Sequence, residues 1–526
     1  MKNAETNAGK MTNYRWTICM MLFFATTVNY LDRQVLSLTW KDFIGPEFHW
    51  TNSDYGNITT FFSGFYALCM LFAGRFVDWL DTKKGFLWAI GIWSVGACMH
   101  AYCGIATSGI VAGEWFVGFE GAKEVLEKVD NVAMIINVSV ILFIFSRAIL
   151  ALGEAGNFPA AIKATVEYFP KKDRGFSTSI FNSGAQIGAL LAPISIPVIA
   201  EYYGWEMAFL IIGALGFVWM GFWVFIYKKP EANPKVNAAE LAYINQDEES
   251  NKAEKKGEEA PQRKLSFLEC LKFKQTWSFA LGKFMTDGVW WFYLFWAPAY
   301  MSSVYNMPSN STGAKIAIFV LYLISMLSLI GGYLPTFFVE KKKMNPYAGR
   351  MKAMLIFAFF PLLALLAQPL GHISYWIPIV IIGIAGAAHQ AWSANIFSTV
   401  GDMFPKSAIA TITGIGGMAG GVGAMLINKG SGKLFDFSQL NWSKINGIPL
   451  TEKFPELQNL SISEFLQKQD YASMDIFLNS LKESGDQVVN GINTGYMIIF
   501  SICAVAYLIG WCVMKLLVPK YKPVEI

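Results

Sequence analysis

The chain has 526 residues, 54% hydrophobic and only 15% charged, and its apolar residues gather in long uninterrupted blocks. With a mean hydropathy of +0.38, this composition excludes an ordinary soluble domain, and blocks longer than the roughly 20 residues that cross a hydrocarbon core exclude the short alternating strands of a membrane barrel. The net charge of +4 is too small and too unevenly spread to indicate a nucleic-acid partner.

In chain order, a polar N-terminal tail leads into the block Trp16 to Leu31. It ends in charged residues without a small-residue cleavage site, so it reads as a retained first span. Apolar blocks predict spans near 14–37, 53–79, 86–107, 134–168, 176–200 and 205–227. A second set follows near 277–304, 313–339, 351–370, 373–400, 407–431 and 493–518. Between them, 228–275 is rich in charge and poor in apolar residues, and reads as a linker. The expected architecture is an all-α membrane protein with twelve transmembrane helices in two pseudosymmetric six-helix bundles, over 1–227 and 276–526. Such repeats build carriers with a site at the midplane.

Basic residues follow the even-numbered spans: Arg75, Lys83 and Lys84, then Lys171, Lys172 and Arg174, then Lys228 and Lys229, Lys341 to Lys343, and finally Lys515, Lys520 and Lys522. The positive-inside rule places that side, both termini and the linker in the cytoplasm of an inner membrane. Two insertions, 108–133 and 433–490, then lie outside. In the first, Ala122, Val125, Leu126 and Val129 have helical spacing. In the second, Ser461 with Glu464 has capping-box spacing, and Tyr471, Met474, Phe477, Leu478 and Leu481 form an apolar stripe. These stripes are expected to pack on the outer rim, on each other or on an extracytoplasmic partner, the alternative being separate decoration of the membrane surface.

Four charges fall inside predicted spans of the first half. Asp32 and Arg33 end span one, and Arg147 and Glu154 stand seven residues apart on one face of span four. Charges at such depth face a polar cavity or find partners, and a buried network that only holds helices together is the competing reading. Arginine offers a planar fork to a carboxylate, and a partly desolvated acid can titrate near physiological pH. Tyr30, Asn182, Gln186, Gln390, Trp392 and Asn395 could serve a sugar's hydroxyls and ring face, against a plain helix-packing role for each. The pair Lys283 and Asp287 reads as an i,i+4 contact, and the glycine-rich 414–423 as close helix packing. The seven cysteines lack metal or redox spacing. No nucleophile triad, metal cluster or cofactor motif is found, so neither an enzyme nor a bound cofactor is expected.

After span two, Gly74-Arg75-Phe76-Val77-Asp78 and the basic pair Lys83 and Lys84 resemble the loop of the major facilitator superfamily. Gly74 would permit close helix approach and Asp78 would latch one conformation with its basic neighbours, whereas a charged turn obeying the positive-inside rule is the plainer reading. Asp81 stands where that loop usually has glycine. The stretches 29–34, 147–159, 181–188, 290–296 and 389–395 are similar to the anion:cation symporter family, most of all to its hexuronate carriers. That resemblance implies the major facilitator fold and uptake of glucuronate or galacturonate with protons. It also implies coupling and substrate roles for the residues matching Asp32, Glu154, Arg33 and Arg147. It lapses in the linker and in both insertions.

Overall fold

A computed structural model of the chain describes residues 11–254, 266–328 and 333–524. The first half contains α1 (Tyr14–Thr39), α2 (Asn52–Leu80), α3 (Thr82–Ala101), α4 (Cys103–Ala112), α5 (Phe119–Leu126), α6 (Val132–Tyr168), α7 (Lys171–Tyr203) and α8 (Trp205–Ile226). After α9 (Ala238–Glu254) come α10 (Lys274–Tyr305), α11 (Thr312–Ser325), α12 (Tyr333–Glu340), α13 (Pro346–Phe359), α14 (Trp376–Met403) and α15 (Lys406–Trp442). The chain closes with α16 (Ile462–Lys468), α17 (Met474–Glu483) and α18 (Ile492–Leu517).

Among the described residues, eight helices are long and apolar enough to cross a membrane, or nine if the bent pair α3 and α4 forms one span. The α1 and α10 helices fall outside that set because buried polar and charged side chains, such as Asn29, Asp32 and Arg33 in α1 and Lys283 in α10, interrupt their apolar runs. The packing repeats between halves: α1 lies on α7 as α10 lies on α15, and α3 lies on α6 and α8 as α13 lies on α14 and α18. Across the halves, α2 meets α15 and α7 meets α11.

Four expectations are corrected. Span three is bent by 52° at Tyr102. There the ladder changes to Tyr102 N–H donating to the Met99 carbonyl at 3.1 Å, while the Cys103 thiol approaches the same carbonyl at 3.6 Å. The non-helical part of the first insertion therefore starts at Gly113 (φ 80°), not at 108. Span eleven continues past 433 to Trp442, a 37-residue helix of about 55 Å. Its polar end is held: Asp436 accepts from the N–H groups of Asn52 (3.0 Å) and Ser53 (2.8 Å) at the start of α2, where a negative charge is favoured. Lastly, the linker is not a bare connection. Glu240 of α9, fully buried, accepts from the Thr12 hydroxyl (2.6 Å), the Arg15 N–H (3.1 Å) and the Arg15 guanidinium (3.0 Å), which fastens α9 to the first turn of α1.

The second insertion adds a small sheet to the otherwise helical fold. Its strands β1 (Lys444–Ile445), β2 (Ile448–Pro449) and β3 (Val488–Val489) run in the order β2-β1-β3, all antiparallel. Asn446 (φ 52°) and Gly447 (φ 82°) make the hairpin turn, the dipeptide that left-handed backbone at both positions favours. The Ser461–Glu464 capping box forms as its spacing predicts. The apolar stripe from Tyr471 to Leu481 turns inward, where Met474, Phe477 and Leu478 meet Ile445, Leu450 and Phe465 in a core of the insertion's own.

The glycine-rich stretch of α15 packs as closely as expected. A Cβ at Gly421 would lie 2.3 Å from the Ala67 Cβ of α2, and one at Gly423 would lie 2.1 Å from the Phe284 carbonyl oxygen of α10. Gly74 differs: a Cβ there would meet nothing within 4 Å, so close approach is not its role in this conformation. The tight contact in that loop is at Gly85, against Val77. The Asp78 side chain lies outside the described residues. Asp81 takes φ 70° and ψ 155°, a region suited to glycine, and the equivalent turn between α7 and α8 uses Gly204 at φ 87° and ψ 154°. Asp81→Gly is therefore expected to raise stability by about 1 kcal/mol, because relieved strain outweighs the few tenths lost with the Asp81 cap on the Thr82 N–H. A melting curve of the detergent-solubilised protein checks this, and an unchanged midpoint would mean the turn is unstrained.

Candidate functional site

Two turns of α6 carry Arg147 and Glu154 to the same face, and the end of α1 brings Asp32 and Arg33 against them. All four are buried, from 1% to 5% exposed. Arg33 donates from Nε (3.1 Å) and Nη2 (2.7 Å) to Glu154 Oε2. Its guanidinium is also enclosed by three rings, Tyr30 at 5.1 Å, Tyr66 at 4.9 Å and Trp291 at 5.2 Å. Such cation–π contacts are worth about 0.5–1 kcal/mol at exposed sites and about 2 kcal/mol once water is excluded. Trp291 belongs to α10, so the second half closes over a charge of the first.

Arg147 is held differently. Its guanidinium stands over the Phe62 ring at 5.0 Å, and its buried Nη1 has no partner among the described residues. Neither Asp32 oxygen has a partner there, nor does Glu154 Oε1. Asn157, one turn beyond Glu154 and 1% exposed, leaves both side-chain polar atoms unpaired among the described residues. Buried polar groups are normally satisfied. Among the described residues this constellation keeps a free donor on Arg147 and free acceptors on Asp32 and Glu154, unlike a saturated structural network.

The other sequence candidates divide by place. Tyr30 joins the cluster through Arg33. Gln186, half-buried, and Asn182, exposed, fall by helical spacing on the face of α7 that carries Pro193, and Pro193 lines a gap with Pro298 and Ile318 of the second half. These two therefore face the cleft between halves. Gln390 is half-buried on α14. Trp392 is fully buried against Tyr507 at 5.6 Å, and Asn395 donates to the Ala391 carbonyl of its own helix at 2.8 Å. Neither is brought beside Arg33. In the loop after α2, Lys83 donates to the Val224 carbonyl of α8 (2.7 Å) and Lys84 is exposed, which ties that loop to its own half. Lys283 does pair with Asp287 at 2.6 Å as the i,i+4 contact expected, with Lys283 buried and Asp287 half-buried.

Tyr66, Phe62, Trp291 and Asn157 are the members that sequence reasoning passed over. Asn157 had a signal, its i+3 spacing from Glu154. Trp291 lay within the stretch 290–296 that carries the resemblance, but nothing in the sequence aimed it, Tyr66 or Phe62 at a guanidinium, since only packing chooses which of the chain's many rings meets one.

At the insertion end the cluster is roofed by aromatic rings from both halves. Trp40 stacks on Tyr55 at 4.2 Å, and Tyr55 meets Trp296 of α10 at 5.0 Å. Trp296 continues to Phe435 of α15 at 5.0 Å.

Comparison with known proteins agrees with this architecture. The chain is 27% identical over 431 residues to a hexuronate transporter of Escherichia coli strain K12, covering 81% of this chain and 89% of that protein. It is 26% identical over 341 residues to a galacturonate transporter of Dickeya chrysanthemi, covering 65% of this chain and 87% of that one. Its fold matches that of a bacterial homologue of the human lysosomal transporter Spinster, solved in an inward-facing and occupied conformation, with a TM-score of 0.64 at 17% identity over 98% of this chain and 99% of the other. The model of the Major Facilitator Superfamily matches residues 22–427. With two packed sets of helices around a shared charged cluster, the chain is a multi-pass membrane transporter rather than an enzyme, and it belongs to the Major Facilitator Superfamily.

Proposed function

We propose that the protein is a proton-coupled symporter that carries a hexuronate such as glucuronate or galacturonate into the cell across the cytoplasmic membrane. The observation that carries this reading is the split within the buried cluster: Arg33 is committed to Glu154, whereas Arg147 keeps a free donor beside acids with free acceptors. Arg147 receives the substrate carboxylate. A proton on Asp32 or Glu154 lowers the negative charge around it and admits the anion, and loss of that proton toward the cytoplasm drives release. The relatives named for hexuronate and galacturonate support the choice of substrate class.

In this reading Tyr30, Asn182 and Gln186, with Gln390, Trp392 and Asn395 from the second half, contact the sugar as the halves rock. Gly74, Asp78, Lys83 and Lys84 form a latch at the basic, cytoplasmic end. Proteoliposome uptake of labelled glucuronate, galacturonate, galactonate and sialate under imposed proton or sodium gradients tests the proposal. Accumulation of a hexuronate driven by protons is expected. Preference for galactonate or sialate would make the protein a carrier of another organic anion, and binding without accumulation would make it a sensor with a transporter fold.

A further inference from the structure

The second insertion is a unit with its own apolar core, drawn only from residues between Leu440 and Val488. It is joined covalently to the second half at both ends. Its bonds to the first half are polar. Ser463 of α16 donates to the His49 carbonyl at 3.0 Å. Asp475 of α17 pairs with Lys41, which follows α1, at 2.8 Å. The same carboxylate accepts from Ser303 of α10 (2.8 Å), from Gln439 of α15 (2.7 Å) and from Asn490 (3.2 Å). One nearly buried acid, 8% exposed, thus gathers both halves and the insertion at a single point.

That point has a mechanical position. Lys41 is next to Trp40, the ring that roofs the charged cluster together with Tyr55 and Trp296. Any movement that opens the insertion end must draw Trp40 from Trp296 and, with it, Lys41 from Asp475. Polar bonds across a moving boundary can be exchanged for bonds to water, whereas the insertion's apolar core stays intact through the motion. Asp486 and Glu464 spend their bonds within the insertion, on Asn446, Lys453 and Ser461, whereas Asp475 spends its bonds on both halves, which an insertion serving only as decoration would have no reason to do.

We propose that the second insertion is a clasp on the outer gate, with Asp475 as the group that fastens it, and that it shifts the conformational balance toward closure at that end. The proposal rests on the reading that the carrier works by alternating opening of its two ends. By population shift, closure lowers the apparent affinity for external solute by the fraction of molecules open to it.

The test measures distances by spin labels on cysteines at exposed Tyr202 of α7 and exposed Ile476 of α17, with Cys98 and Cys512 replaced by serine, in the full chain in lipid nanodiscs. Asp475→Asn and Lys41→Met are each expected to raise the long-distance population at least about threefold, and the swap Lys41→Asp with Asp475→Lys is expected to restore it. Unchanged distances in both single variants, melting as sharply as the parent, would overturn the clasp. If a single variant fails to fold, the swapped pair decides: parent-like distances support the clasp and a lasting open population overturns it. Because the readout needs no solute, it stands whether or not a hexuronate is the substrate.

Discussion

Replacing Asp32 by Asn is expected to turn a concentrating carrier into one that only equilibrates its solute, a loss of at least about tenfold in proton-driven accumulation, while counterflow exchange persists. The amide keeps the shape of the acid but cannot take up or release a proton. Asp32 suits the substitution because neither of its oxygens has a hydrogen-bond partner among the described residues. Glu154→Gln should abolish accumulation too, at a further cost in stability, since Glu154 Oε2 accepts both donors of Arg33. Uptake in proteoliposomes with and without a proton gradient, beside exchange at equal pH, separates coupling from binding. Concentrative uptake that survives in both variants would move the proton elsewhere.

Arg147→Lys is expected to raise the half-saturating substrate concentration by about 10–100-fold, or about 1.4–2.8 kcal/mol, since lysine keeps the charge but loses the two-pronged geometry that matches a carboxylate. Arg33→Lys should behave differently. Its guanidinium is held by Glu154 through Nε and Nη2 and by the rings of Tyr30, Tyr66 and Trp291, so the larger effect falls on thermal stability and coupling. Removing the charge altogether, as in Arg33→Leu, would leave Glu154 buried without its partner and is expected to cost about 3–5 kcal/mol. Substrate titration and melting curves on the same preparations check the split. Equal changes in affinity for the two lysine variants would mean that both arginines hold the substrate, and no change in either would place the carboxylate contact elsewhere.

The elements that were legible in advance are those with a local cause. Apolar blocks must become helices in a bilayer because every backbone polar group has to be satisfied within its own segment. The spacing of Arg147 and Glu154 put both on one face before any packing was known. Capping of α16 by Ser461 and Glu464 is likewise a matter of neighbours in sequence. The hairpin at Asn446-Gly447 also had a local signal, in two residues that favour left-handed backbone, though the sequence reading did not take it up.

What the sequence by itself determined, then, is the membrane class, the two sets of helices, the charged residues at depth and the approximate extent of the insertions. Tertiary structure alone decided which charge pairs with which. Asp32 and Arg33 are adjacent in the chain, yet Arg33 bonds to Glu154, 121 residues away, and Asp32 has no hydrogen-bond partner among the described residues. It also decided that Trp291 of the second half covers Arg33, that α15 runs on past its apolar block to cap α2 with Asp436, and that Asp475 reaches Lys41. The physical reason is common to all of these. Helical periodicity specifies a face and burial specifies a depth, but the partner met at that depth depends on how helices remote in sequence cross, and a polar group selects among the available partners by distance and geometry rather than by order in the chain.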